Sequence, residues 1–351
     1  ASDLLNETSN RNGVNDYEVY IDSILKFHWK AVKFSFSETR YINSFIDYPQ
    51  YYETNRRFMR THVDPGNRLS MYAYVPDGGV FKTLPGEMHQ VKVVLKDSKQ
   101  NESILQFIVK SSSFAVKSDV NTQLRADISG KEFYVKPAAD NRQGMLFSYL
   151  KPNVFSTPAV YLKMPGECLY DTVFFRYSES PKGPGMWSAI HNIHSPEVPL
   201  QDYYELSIKV DKDFKGDPAK LVMVRLNSQN KPASVGGKFD NGYIKARLRD
   251  FGKYSIMVDT TAPVIRPLNI KDGLNISKLQ ELRVTISDNL SGIKTYMGTL
   301  NGAWILMDYD AKSRMLTYKP DALLLPGDNL MIITVSDGAG NSSVMQLTLK
   351  N

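Results

Sequence analysis

Gly292-Ile-Lys-Thr-Tyr296-Met-Gly-Thr-Leu300-Asn301-Gly302 reads as a turn, a strand and a hairpin turn. The same pattern recurs near the start, without a gap, as Gly13-Val-Asn-Asp-Tyr17-Glu-Val-Tyr-Ile21-Asp22-Ser23. A Ser-Asp pair precedes each, Ser287-Asp288 in one and Ser2-Asp3 in the other, with a longer turn after the latter. Period-two runs rich in β-branched residues and closed by Asn, Asp and Gly are strands joined by turns.

The likeness extends to the ends of both blocks. Pro326-Gly327-Asp328 opens the run Leu330 to Val335, which closes on Ser336-Asp337-Gly-Ala-Gly-Asn341-Ser-Ser343. Pro85-Gly86-Glu87 opens Val91 to Leu95, which closes on Lys96-Asp97-Ser-Lys-Gln-Asn101-Glu-Ser103. A last alternating strand follows each, Val344 to Lys350 and Ile104 to Lys110. Two such blocks of roughly a hundred residues fit immunoglobulin-like sandwiches, and a repeat in this register is a fold-level signal.

Residues 114–258 between them also read as strands, at Glu132–Pro137, Ala159–Lys163, Thr172–Tyr177, Tyr204–Val210, Lys220–Leu226, Tyr243–Leu248 and Lys253–Val258. Gly, Pro and Asn punctuate them, as in Gly236-Gly237 and Asn241-Gly242. Asp259-Thr-Thr-Ala-Pro263 is a short, stiff linker. The expected fold is therefore all-β, with three tandem β-sandwich domains at 1–113, 114–258 and 259–351, the first and third immunoglobulin-like and related. One helix is expected near Pro49 to Met59, starting at the proline. In the last block, Val264–Asn269 and Glu281–Ile286 supply two strands ahead of Ser287-Asp288, whereas only Ala1 precedes Ser2-Asp3. The register thus predicts that the chain begins inside a domain whose first strands lay upstream.

The 351 residues are 42% apolar and 23% charged, as in soluble globular proteins, and no apolar run approaches the roughly 18 residues of a membrane span. The net charge of +6 is dispersed, without a run of five or six basic residues, which is no nucleic-acid footprint. The single cysteine, Cys168, excludes internal disulfides and four-cysteine zinc frameworks.

Catalytic chemistry finds no foothold. His191-Asn-Ile-His194 is the one histidine pair close in sequence, but odd spacing on a strand sends the side chains to opposite faces. His62-Val-Asp64 sits before Pro65-Gly66 and reads as a loop. There is no Gly-x-Ser-x-Gly elbow and no phosphate loop, and no cofactor is expected. Asp259, Asp288, Asp337 and Asn341 recur at inter-strand corners and are calcium candidates. Calcium wants six to eight oxygens, and a corner offering one or two carboxylates is more simply an Asx turn. A recognition surface is the remaining candidate. The first block carries an insertion at 34–68 that the last lacks, rich in Arg40, Tyr41, Phe45, Tyr48, Tyr51, Tyr52, Arg56 and Arg57. Aromatic and Arg side chains favour recognition, yet they equally suit an insert folded back over an open sheet, with Arg and Glu in a structural ion pair.

Phe36-Ser-Glu-Thr-Arg-Tyr-Ile-Asn-Ser-Phe-Ile-Asp-Tyr48 resembles a stretch downstream of the peptidase domain in lysostaphin-type zinc endopeptidases of Bacteroidota. Ser234-Val-Gly-Gly-Lys-Phe239, Phe251-Gly-Lys-Tyr-Ser-Ile256, Asp259-Thr-Thr-Ala-Pro-Val-Ile-Arg-Pro267, Asp288-Asn-Leu-Ser-Gly-Ile293 and Gly302-Ala-Trp-Ile-Leu-Met-Asp-Tyr309 are similar as well. That family cuts peptidoglycan cross-links with a zinc held by His-x-x-x-Asp and His-x-His motifs. Neither motif occurs here, so no catalytic residue carries over. The resemblance implies a non-catalytic C-terminal part that positions or regulates an attached peptidoglycan-hydrolysing peptidase, with that upstream domain of the same protein, and peptidoglycan or envelope proteins, as partners. It places the chain in the periplasm or cell envelope of a Gram-negative bacterium, without nucleic acid or a membrane span. A protein-interaction or adhesion scaffold built from immunoglobulin-like repeats is the alternative.

Overall fold

A computed structural model describes residues 3–4, 11–33, 35–111 and 143–351. The expected strand Glu132–Pro137, Ser2 and Phe34 lie outside the described residues. The described fold is all-β, with antiparallel pairing in every sheet, and no described helix is long and apolar enough to cross a membrane.

The last block is a two-sheet sandwich. Val264–Pro267, Leu282–Ser287, Met315–Tyr318 and Asp308–Asp310 form one sheet in that order. Ala303–Ile305, Ile293–Leu300, Asp328–Asp337 and Ser342–Lys350 form the other. Alternation drives the packing: Leu282, Val284 and Ile286 point inward from the first, and Met331, Ile333 and Val335 from the second.

The first block repeats the second of these sheets. Tyr72–Tyr74, Ile24–Lys30, Asp16–Ile21, Met88–Lys96 and Glu102–Lys110 lie side by side in that order. A short pair, Asp3–Leu4 with Arg11–Asn12, precedes it. The turns match as read. Asp22 and Ser23 have φ of 49° and 67°, and Asn301 and Gly302 have 51° and 82°, the two positive positions of a tight hairpin. Asp97 Oδ1 accepts from Asn101 N at 2.9 Å and Asp97 Oδ2 from Asn101 Nδ2 at 2.6 Å. Asp337 and Asn341 make the same pair, both at 2.7 Å.

The blocks differ in what covers the sheet. Among the described residues the first block has no second sheet beyond that two-stranded pair, and its insertion lies over one face instead. Phe45 is buried and stacks on Trp29 at 4.9 Å, with Phe27, Leu69 and Met71 around it. The expected helix is present as Tyr48–Thr54, capped by Asp47 Oδ1 on Gln50 N and ended by left-handed Asn55. A 3-10 turn, Phe36–Tyr41, and a helical turn, Ile42–Phe45, precede it. Periodicity could not reveal those, because neither exceeds six residues.

The middle domain is a larger sandwich. Lys238–Asp240, Tyr243–Leu248, Tyr204–Lys209, Val160–Met164 and Asn153–Ser156 make one sheet. Pro232–Gly236, Leu221–Leu226, Gly252–Val258, Ile190–Ile193, Val173–Ser180 and Gln143–Phe147 make the other. Phe147, Phe155, Phe175 and Phe251 fill the space between, with Phe147 and Phe175 stacked at 4.2 Å.

Candidate functional site

The insertion residues divide into two sets. Arg40 and Tyr41 dock on the middle domain: Arg40 Nε donates to Leu200 O at 3.1 Å, and the Tyr170 hydroxyl donates to Arg40 O at 2.5 Å. The Tyr41 and Tyr170 rings meet edge to face at 6.0 Å. Gly66 completes the junction, its N–H donating to Tyr170 O at 2.8 Å. A Cβ there would stand 2.8 Å from that same oxygen, so the close approach requires glycine. Phe45 belongs to the core of its own block. Among the described residues no Arg–Glu pair forms within the insertion, since Arg40 is taken by Leu200 O and Glu38 Oε2 accepts from Ser70 N, while Arg68 pairs instead with Glu167 of the middle domain at 2.5 Å.

The second set runs from half-buried Tyr48 and Tyr51 to exposed Tyr52, Arg56, Arg57 and Phe58. Tyr48 and Tyr51 lie 6.0 Å apart, and the Arg57 guanidinium stands over the Tyr51 ring at 5.4 Å. Tyr52 is 48% exposed and Phe58 51%, and Arg56 is exposed beside them. The middle domain carries a similar group, in which Arg247 and Arg249 lie over the ring of Tyr203 at 5.2 and 4.4 Å.

The histidines and the cysteine are structural. His191 Nδ1 bonds the Tyr177 hydroxyl at 2.9 Å, whereas His194, at the strand end, packs against Phe175 and Phe251. Burial pushes both imidazoles down to about 4, so they are neutral near pH 7. Asp64 accepts both Arg60 Nη1 at 2.8 Å and Arg60 Nη2 at 2.7 Å, which fixes the His62 loop. Cys168 is buried and donates to Asp202 O at 3.0 Å, and desolvation pushes its thiol up to about 12.

The corner carboxylates are the exception. One oxygen from each of Asp259, Asp288 and Asp337 lies within 4.8 Å of the other two. Asp259 and Asp337 are 1% and 0% exposed. Each carboxylate also makes the Asx-type bonds expected of a turn. Asp259 Oδ1 accepts from Thr261 N at 3.2 Å, and Asp288 Oδ2 from Leu290 N at 3.0 Å and Gly292 N at 2.8 Å, while Asp259 Oδ2 also accepts from the remote Ser291 N at 2.9 Å. Asn341 Nδ2 reaches Asp259 O at 3.0 Å. The sequence shows these corners singly, because Asp259, Asp288 and Asp337 are far apart along the chain and only the meeting of linker and sandwich joins them. Two full charges at that separation repel by on the order of 3 kcal/mol even at an effective dielectric of 20. Lys220 approaches the corner, yet its ammonium donates to Ala339 O at 3.1 Å.

A second group, Asp16, Glu18 and His28, lies on the outer sheet face of the first block. Lys30 stands 3.6 Å from Asp16, and Lys96 3.6 Å from Glu18, so that group is neutralised by its own ion pairs.

Residues 144–259 match the Zu5-like domain family, less than half of the chain. Among solved structures the chain is similar to SGBP-B of the Bacteroides ovatus mixed-linkage glucan utilization locus, solved with a mixed-linkage heptasaccharide. Identity is 10% and the TM-score 0.17, over 96% of this chain and 60% of that one. A structure concerned with host cell surface retention of a 1.5-MDa bacterial ice-binding adhesin matches at 10% identity and a TM-score of 0.17, over 97% of this chain and 88% of that one. The chain thus spans about three fifths of the length of the glucan-locus protein. Scores this low decide nothing about domain arrangement or ligand. No curated protein matches the chain.

Proposed function

We propose that this chain is a non-catalytic module of the bacterial cell envelope that positions a peptidoglycan-hydrolysing zinc metallopeptidase domain of the same protein. The observation that carries the reading is how the junctions are built. Across the first junction Arg40 and Tyr170 bond side chain to backbone and Gly66 bonds backbone to backbone, and the Lys220 and Asn341 side chains reach backbone carbonyls across the second. Domains tied through their backbones hold a set orientation, which suits a spacer for an attached catalytic domain. The sequence resemblance supports the envelope and the peptidase, and the dispersed charge of +6 suits anionic surroundings. The test is to incubate the purified chain with peptidoglycan and zinc. No soluble muropeptide is expected, and their release would overturn the reading. Intact mass of the native protein from its source tests the attachment: a heavier species carrying both zinc motifs is expected.

The outward half of the insertion favours a second reading, an interaction scaffold at the bacterial surface. Tyr51, Tyr52, Arg57 and Phe58 are the residue types of recognition surfaces. Sedimentation with purified sacculi, comparing the chain with its Tyr52→Ala/Arg57→Ala variant, separates the two. Binding that the variant loses supports the scaffold, and no binding leaves the spacer.

A further inference from the structure

We propose that Asp259, Asp288 and Asp337 bind a calcium ion at the corner between the middle and last domains. The three carboxylates converge within 4.8 Å, and among the described residues no Lys, Arg or His nitrogen lies within 4.0 Å of any of them. An independent observation points to a ligand. Asp288 Oδ1 is wholly buried and accepts no hydrogen bond, although Asp288 Oδ2 accepts two. A carboxylate oxygen removed from water without a partner is costly, and a cation satisfies it.

The internal repeat shows that the turn alone does not create this arrangement. Asp97 and Asn101 make the same side-chain pair as Asp337 and Asn341, yet Asp97 is only half-buried and joins no carboxylate group. Asp337 is fully buried where it meets Asp259 and Asp288. The donors are all oxygen, which selects a hard cation over zinc or copper. Three carboxylates with irregular placement suit calcium, which takes six to eight oxygens flexibly, whereas magnesium demands a near-ideal octahedron. Water completes the shell. The ion fastens Asp259 at the linker to two loops of the last sandwich, so it fixes the angle between the domains.

The test uses the whole chain, freed of metal with a chelator and dialysed. Calorimetric melting with calcium at about 1 mM, in the affinity range of extracellular calcium modules, is expected to raise the transition of the last domain by several degrees. Isothermal titration is expected to give about one ion per chain. The Asp288→Asn variant keeps the turn and is expected to fold, with an unchanged circular dichroism spectrum, and to lose the shift. Asp97→Asn is expected to retain it. Absence of both shift and heat with the unaltered chain overturns the proposal, as does a shift that survives in both Asp288→Asn and Asp259→Asn. An equal shift with magnesium overturns the assignment to calcium.

Discussion

The first and last blocks close the same hairpin at the same place with different chemistry. In the last block Asn301 Oδ1 accepts from Leu330 N at 2.9 Å, and Asn301 Nδ2 donates to Asn329 Oδ1 at 2.8 Å. In the first, Asp22 Oδ1 accepts from Gln90 N at 2.8 Å, and Asp22 Oδ2 bonds His89 Nδ1 at 2.7 Å. A neutral amide pair in one repeat is a carboxylate–imidazole pair in the other. The sheets diverge further: one is covered by four strands, the other by a helical insertion reaching only its half nearest Trp29. On the far half, Leu105 is 60% and Phe107 42% exposed, at the positions where Met345 and Leu347 pack against the core of the last sandwich. The repeat therefore conserves backbone geometry while leaving the covering layer free to differ, since hairpin turns are local and a sheet face accepts any apolar cover of suitable shape.

The largest expected effect strikes that cover. Phe45→Ala removes the ring stacked on Trp29 and should destabilise the first block by about 3–5 kcal/mol, leaving the melting of the last block unchanged. Equal loss in both would show that the repeats unfold as one unit. Acid should act on neither repeat first. His191 and His194 are held neutral near 4 against an ordinary 6.5, and unfolding lets them take up protons. Stability is therefore held above about pH 6.5 and lost as pH falls toward 4, by roughly 3 kcal/mol for each histidine. Tyrosine or tryptophan fluorescence during acid titration should report the middle domain failing first.

Matched surface changes come next. Leu347→Ser should cost about 2 kcal/mol, whereas Phe107→Ser should change stability by less than about 0.5 kcal/mol and reduce self-association. Similar costs in chemical denaturation would show that the far half of the first sheet is covered in solution. The smallest effect concerns the hairpin pair. Its hydrogen bond to Asp22 holds the His89 imidazole above its usual range, and its bond to His89 holds the Asp22 carboxyl below the carboxylate range. The histidine's contribution is present below about pH 6.5 and fades as pH rises through its raised value. The carboxylate's contribution fades as pH falls. Asp22→Asn/His89→Asn recreates the pair of the last block and should flatten this dependence, read from the pH profile of the melting temperature of the first block.

The sequence made the repeat legible because its signals are local. Asp22-Ser23, Asn301-Gly302 and the two Asp-x-x-x-Asn turns carry their geometry within five residues. Short edge strands such as Pro232–Gly236 and Lys238–Asp240 escaped, lacking enough alternation to be read. The sequence presents the candidate residues as single side chains and not as groups. Arg40, Tyr41 and Phe45 are inward for reasons set by Tyr170, Leu200 and Trp29, all remote in sequence. The convergence of Asp259 with Asp288 and Asp337 likewise depends on the path of the chain beyond the linker.

Asp259 ends the strand Gly252–Val258, and each of its polar groups has a different attachment. Its amide donates to Lys220 O, its carbonyl accepts from Asn341, and its carboxylate accepts from Ser291. A pull along the polypeptide would load these bonds in parallel rather than one after another. They would yield together at a higher force than a series of single links, and the five residues that read as a short, stiff linker in the sequence would behave as a mechanical clamp.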